Sequence, residues 1–187
     1  MVQWAYDRII SWGNKRIVVH LIYQLNLPNT ENNASKLWNR LLRMKSAGNR
    51  QAYGSYWSEQ SNDKLTVGIV WFEEKYGKLH IHAIIGLPEG TNDVEEFLRR
   101  NAWSLFSEGV ELRFDRRMDE RGFLYWTAYD RRKVHGEGEV WVREVVPTDE
   151  DRFRVLNYIT KQMTYDKKQH MEIDRQWRVL EKSRRRR

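Results

Sequence analysis

Apolar positions along this chain follow two periods, and the switches between them outline its elements. Lys15 to Leu27 (KRIVVHLIYQLNL) is rich in β-branched and aromatic residues and stops at Pro28, which predicts a strand. From Glu31 to Ala47, Leu37, Trp38, Leu41, Leu42 and Met44 fall at helical spacing, and Gly48 stands where a helix is expected to stop. Asn49 to Asp63 is polar and carries Tyr, Ser and Gly, which predicts a loop. Leu65 to Glu74 (LTVGIVWFEE) and Lys78 to Gly86 (KLHIHAIIG) predict two strands joined as a hairpin through Lys75-Tyr76-Gly77. A second helix is expected to open on a capping box of Asn92 and Glu95, to present Phe97, Leu98, Trp103, Leu105 and Phe106, and to end at Gly109. Val110 to Asp115, Phe123 to Arg131 and Glu139 to Val146 predict three more strands, the last entered through a turn at Gly136 and Gly138. After Pro147, Thr148 is suited to an N-cap, and Asp149, Glu150 and Asp151 favour the positive end of a helix dipole. Phe153, Leu156, Ile159 and Met163 supply that helix's stripe.

The order β-α-β-β-α-β-β-β-α predicts an α+β fold, a central antiparallel β-sheet flanked by helices. With no internal repeat and no long linker, residues 1–170 read as one domain and 171–187 as a charged, basic C-terminal tail.

Composition changes the picture in four places. The chain has no cysteine, which excludes thiolate catalysis and Cys-based zinc sites. The absence of cysteine also leads to the expectation of an intracellular protein; no apolar run is long enough to cross a membrane, and the first ten residues do not read as a secretion signal. The net charge of +7 suggests nucleic acid, yet its placement tempers that reading. Lys182 and Arg184 to Arg187 supply five of the 33 basic residues, which leaves 28 against 26 acidic ones in residues 1–181, a net of +2. The nine Trp and nine Tyr matter more: most belong in a core, and exposed ones can stack on unpaired bases.

The candidate chemistry begins at His80-Ile81-His82. Residues two apart on a strand face the same side, so both imidazoles project together and suit a divalent metal. A bare His-x-His is more often a hydrogen-bonded structural pair; the preceding strand shifts that balance. A two-residue turn at Tyr76-Gly77 sets Glu73 opposite His80, on the face shared by His80 and His82. A three-residue loop brings Glu74 there instead. Glu73 is the expected third ligand and Glu74 the reserve. Two histidines and a carboxylate leave positions open for water or phosphate oxygens, as in catalytic rather than structural sites. A histidine triad needs a third alternating histidine where Ile84 stands, and a cupin carboxylate is missing because Glu89 lies too far along.

On the last helix, Tyr158 and Lys161 are three apart and share a face. A tyrosine hydroxyl can attack a phosphodiester whose charge is withdrawn, and a lysine can neutralise charge as it develops. Tyr and Lys on an amphipathic helix are also commonplace as surface and half-buried residues. Tyr165, two turns on from Tyr158, is read chiefly as a packing residue.

Taken together, Leu79-His80-Ile81-His82-Ala83-Ile84-Ile85, Trp71-Phe72-Glu73 and Asn157-Tyr158-Ile159-Thr160-Lys161 resemble the metal, acidic-ligand and nucleophile motifs of the HUH endonuclease superfamily. The similarity is to its Rep-type initiators of rolling-circle and rolling-hairpin replication, of parvovirus and geminivirus type. It spans most of residues 15–168, with the nucleophile after His-x-His as in Reps and unlike conjugative relaxases. The resemblance implies metal-dependent nicking and joining of single-stranded DNA through a 5′-phosphotyrosine intermediate. It implies Tyr158 and Lys161 as catalytic residues, Glu73, His80 and His82 as ligands of Mn²⁺ or Mg²⁺, and single-stranded or hairpin origin DNA as partner. No glycine-rich phosphate loop followed by Lys-Ser or Lys-Thr is present, which reads as a stand-alone nickase or a fragment of a longer Rep, with a separate helicase and host replication proteins as candidate partners. Location would be the host cytoplasm, or the nucleus in a eukaryote. Ile22 to Asn26 matches the family's first motif only loosely. Arg113, Arg116, Arg131, Arg132 and Lys133 are candidates for a DNA-binding rim. The alternatives are a single-tyrosine HUH transposase, or a non-enzymatic single-strand nucleic-acid-binding protein that works through aromatic platforms and basic residues.

Overall fold

A computed structural model describes residues 2–28, 30–75, 78–106, 110–132, 138–163 and 170–173; for residues 2, 4, 25–26, 72–75, 158–163 and 170–173 it describes the backbone alone. The elements are α1 (Val2–Gly13), β1 (Val18–Pro28), α2 (Glu31–Tyr53), β2 (Val67–Lys75), β3 (Lys78–Gly86), α3 (Val94–Asn101), β4 (Leu112–Met118), β5 (Leu124–Asp130), β6 (Glu139–Glu144), α4 (Asp149–Met163) and β7 (His170–Ile173). The strands form one sheet in the order β4-β5-β6-β1-β3-β2-β7, and every adjacent pair is antiparallel. The fold is therefore α+β, with an antiparallel sheet flanked by helices, as the pattern predicts. No helix among the described residues is long and apolar enough to cross a membrane.

Both faces of the sheet are covered at β3, which is why β3 is buried at every position after Lys78 and reads as a nearly continuous apolar run. One face carries Val19, Leu21 and Tyr23 of β1, Ile81, Ala83 and Ile85 of β3, and Val140 and Val142 of β6, packed in one core with Leu37, Leu41 and Met44 of α2 and with Phe97 and Leu98 of α3. The other face carries Ile69, Trp71 and Ile84, packed with Ala5, Ile9 and Trp12 of α1 and with Val155 and Leu156 of α4. Ala5, Ile9 and Trp12 recur at four and three residues, a helical stripe too short to stand out in the sequence.

Several expectations are corrected. Helix α2 continues through Gly48 to Tyr53, and together with a 3-10 turn (Gly54–Glu59) it fills most of the stretch expected to be loop. Gly48 serves packing rather than termination: a Cβ built there meets the Phe97 ring at 2.5 Å, so the glycine lets α2 and α3 approach. Its neighbour Asn49 is fully buried, and its Oδ1 accepts from both the N–H and the hydroxyl of Thr66, 2.8 Å each. Substituting Gly48→Ala is expected to lower stability by about 1–3 kcal/mol, although alanine is the better helix former by ~1 kcal/mol. An unchanged or higher urea midpoint would refute this packing role.

The N-cap of α3 is Asp93 and not Asn92; its Oδ1 accepts from the N–H of Glu95 (2.7 Å) and Glu96 (3.1 Å). That helix ends at Asn101, earlier than expected, and passes into a 3-10 turn (Ala102–Leu105). Thr148 does cap α4, its Oγ1 accepting from Asp151 N–H at 3.3 Å. Helix α1 and strand β7 were not expected, and β7 carries the sheet three residues beyond residue 170.

Candidate metal and DNA-processing site

The site is built on β3 and the two strands beside it. Register in the hairpin is the one expected from a two-residue turn: Lys75 faces Lys78, Glu74 faces Leu79 and Glu73 faces His80. Directly opposed residues share a face, so Glu73, Trp71 and Ile69 of β2 lie on the side of His80, His82 and Ile84. On the other flank β1 adds His20 opposite Ile84, Ile22 opposite His82 and Gln24 opposite His80. Strand β6 extends the row with Arg143 opposite His20, Trp141 opposite Ile22 and Glu139 opposite Gln24.

Three histidines therefore meet on one face. The His80 and His82 rings lie 4.7 Å apart between centroids and tilt by 34°. His20 Nε2 stands 3.3 Å from His82 Nδ1, with the rings within 17° of parallel. All three are buried, His82 at 1% exposure. Burial first, then the neighbouring His82, Arg143 and His80, holds the His20 imidazole well below the ordinary histidine range. His20 thus stands against His82 as a third imidazole on this face, their ring nitrogens 3.3 Å apart.

His20 was not singled out in the sequence. It lies in an apolar run 60 residues from His80, and only the pairing of β1 with β3 brings the two strands together. Trp71 is a second addition. It stands opposite His82, and its buried indole N–H donates to no acceptor among the described residues.

The residues fit a divalent cation by donor chemistry: two imidazoles share a face, with a carboxylate residue directly across the ladder from one of them. The third donor, Glu73, is described only in its backbone. Among the described residues, no group of three or more His, Asp or Glu is placed to hold a metal ion.

Helix α4 packs on this same face. Its first turn is tied to β6 by Asp151, whose two carboxylate oxygens accept from Arg143 Nη1 at 2.9 and 3.0 Å and whose Oδ2 accepts from Val146 N–H at 2.9 Å. Val155 and Leu156 then join the cluster of Ile69, Trp71 and Ile84. Position 158 follows one turn after Val155 and position 161 one turn later; the side chains of Tyr158 and Lys161 lie outside the described atoms, as do all atoms of Tyr165.

The candidate DNA rim divides. Arg113 is on the histidine face, opposite Tyr129, whereas Arg116 opposes Trp126 on the other face. Arg131 bonds Glu111 at 2.9 Å and Arg132 bonds Asp130 at 3.3 Å. Lys133 and the tail from residue 174 lie outside the described residues. Compared with known proteins, the chain matches no family model, no curated protein and no solved structure.

Proposed function

We propose that this protein is a metal-dependent nickase and joining enzyme for single-stranded DNA, of the Rep-type HUH class, with Tyr158 as nucleophile. What supports the reading is one juxtaposition: Glu73 pairs with His80 beside His82, and the helix carrying positions 158 and 161 packs on the face those residues share. His80 and His82, with Glu73, would hold Mn²⁺ or Mg²⁺, which when bound withdraws charge from a phosphoryl oxygen. The Tyr158 hydroxyl attacks phosphorus as its proton leaves to solvent. The bond to the 3′ oxygen breaks, that oxygen takes up a proton, and the 5′ phosphate stays on Tyr158. Lys161 offsets negative charge on the phosphate, and the Trp71 indole N–H is a donor on the same face. Reversal of the steps rejoins a strand without a nucleotide cofactor. The substrate class is origin DNA, single-stranded or as a hairpin.

Burial of His20, His80 and His82 favours a second reading. In it the histidines are core, and the protein binds single strands without cutting them. The two readings separate on a denaturing gel. With labelled single-stranded DNA carrying candidate origin hairpins, the nickase is expected to form a protein–DNA adduct in Mn²⁺, to lose it in chelator, and to regain it on adding metal back. Binding without any adduct across the origin sequences tried, with or without metal, would sink the enzymatic reading.

A further inference from the structure

We infer that Tyr125 and Trp141 form a stacking platform for an unpaired base of single-stranded DNA, on the sheet face of the histidines. The inference rests on the reading that this face receives a single strand, and it adds where one base is held.

The pair is an open, preorganised surface. Tyr125 of β5 opposes Arg143, and Trp141 of β6 opposes Thr127, so the two aromatics are diagonal neighbours on one face. Their rings are 5.5 Å apart and within 3° of parallel. Trp141 remains 41% exposed, in contrast to the buried Trp71 and Trp126. Its indole is held on one side by Tyr125 and at its nitrogen by Glu139, Nε1 donating to Oε2 at 3.1 Å. A ring already fixed in this way loses little freedom when a planar ligand stacks on it.

The surroundings match a nucleotide. Arg143 lies over the Phe123 ring at 4.7 Å and Arg154 over the same ring at 5.5 Å, so cations stand beside the aromatic patch. Both arginines are matched by carboxylates, Arg143 by Asp151 and Arg154 by Glu150, as is Arg117, opposite Tyr125, by Asp115. The balance argues that affinity at this spot comes from stacking and not from net charge. Continuity with the proposed site is direct. Trp141 opposes Ile22, and Ile22 opposes His82 on its other side. Two strand spacings put the Trp141 backbone about 10 Å from that of His82, a short reach along an extended strand of nucleotides.

The test measures binding in chelator, so that no cutting is required. A labelled single-stranded DNA is titrated with the full chain and with Trp141→Ala and Trp141→Phe at several salt concentrations. Trp141→Ala is expected to weaken binding roughly 5- to 100-fold with an unchanged salt slope, and Trp141→Phe to restore most of it. Because Trp141 is exposed, the unfolding midpoint of either variant should stay near that of the parent. Unchanged affinity in Trp141→Ala would overturn the platform. So would a loss of self-association in that variant with DNA affinity intact, or tighter and equally Trp141-dependent binding of RNA of the same sequence. Trp141-dependent binding in a chain that never forms an adduct would remove the nickase and keep the platform. Adduct formation with unchanged Trp141→Ala affinity would do the reverse.

Discussion

Tyr158→Phe is expected to abolish the covalent protein–DNA adduct, by at least about a thousand-fold, because a phenyl ring offers no oxygen to phosphorus. Affinity for the uncut strand should change little, since the substitution removes one hydroxyl and leaves the aromatic ring. Tyr165→Phe serves as the comparison and should still form the adduct. The measurement is the yield of adduct on a denaturing gel, with binding followed separately in chelator. A Tyr158→Phe protein that still couples to DNA would move the nucleophile elsewhere, and coupling lost only in Tyr165→Phe would name its replacement. The fold as well as the motif favours Tyr158. Position 158 follows Val155 by one turn, and Val155 packs in the cluster that contains Trp71 and Ile84, neighbours of His82.

Asp151→Ala should produce the largest loss of stability, about 3 kcal/mol. The side chain is 4% exposed and its carboxylate answers three donor contacts, two from Arg143 and one from the Val146 N–H. Its removal leaves the Arg143 guanidinium, itself only 18% exposed, without its partner on that side. Because the contact ties the first turn of α4 to β6, the same variant should also slow adduct formation, by loosening the helix that carries position 158. Asp151→Asn, which keeps an acceptor oxygen but not the charge, should fall between the two. Urea unfolding reads the stability, and a loss below about 1 kcal/mol for Asp151→Ala would show that α4 is held by its apolar residues alone.

The β2–β3 hairpin was legible because register there follows from a short turn and from alternation, both properties of neighbouring residues, with the turn length alone left to choose between Glu73 and Glu74. That made Glu73 readable as the partner of His80 before any tertiary contact was known. Glycine misled at Gly48, since a helix terminus and a close helix crossing call for the same missing side chain, and only the Phe97 ring distinguishes them. The stretch after it, with its Tyr, Ser and Asn, is helical to Tyr53 because Asn49 is buried against Thr66 and the turn there is sealed by tertiary bonds.

By itself, then, the sequence determined the α+β class, the bounds of β3, the hairpin with its register narrowed to Glu73 or Glu74, and a Tyr-x-x-Lys spacing on one helical face. The tertiary structure alone decided which strands stand beside the hairpin and which helices cover each face. Strand β1 reaches β3 across some 60 residues, and that pairing turns an isolated His20 into the neighbour of His82. Strand β6 reaches β1 from still further along the chain, and that pairing sets Tyr125 and Trp141 on the same face as the histidines. The physical reason is the same in both cases: a strand's own alternation says which residues share a face, but which face meets which helix depends on long-range pairing that no local period encodes.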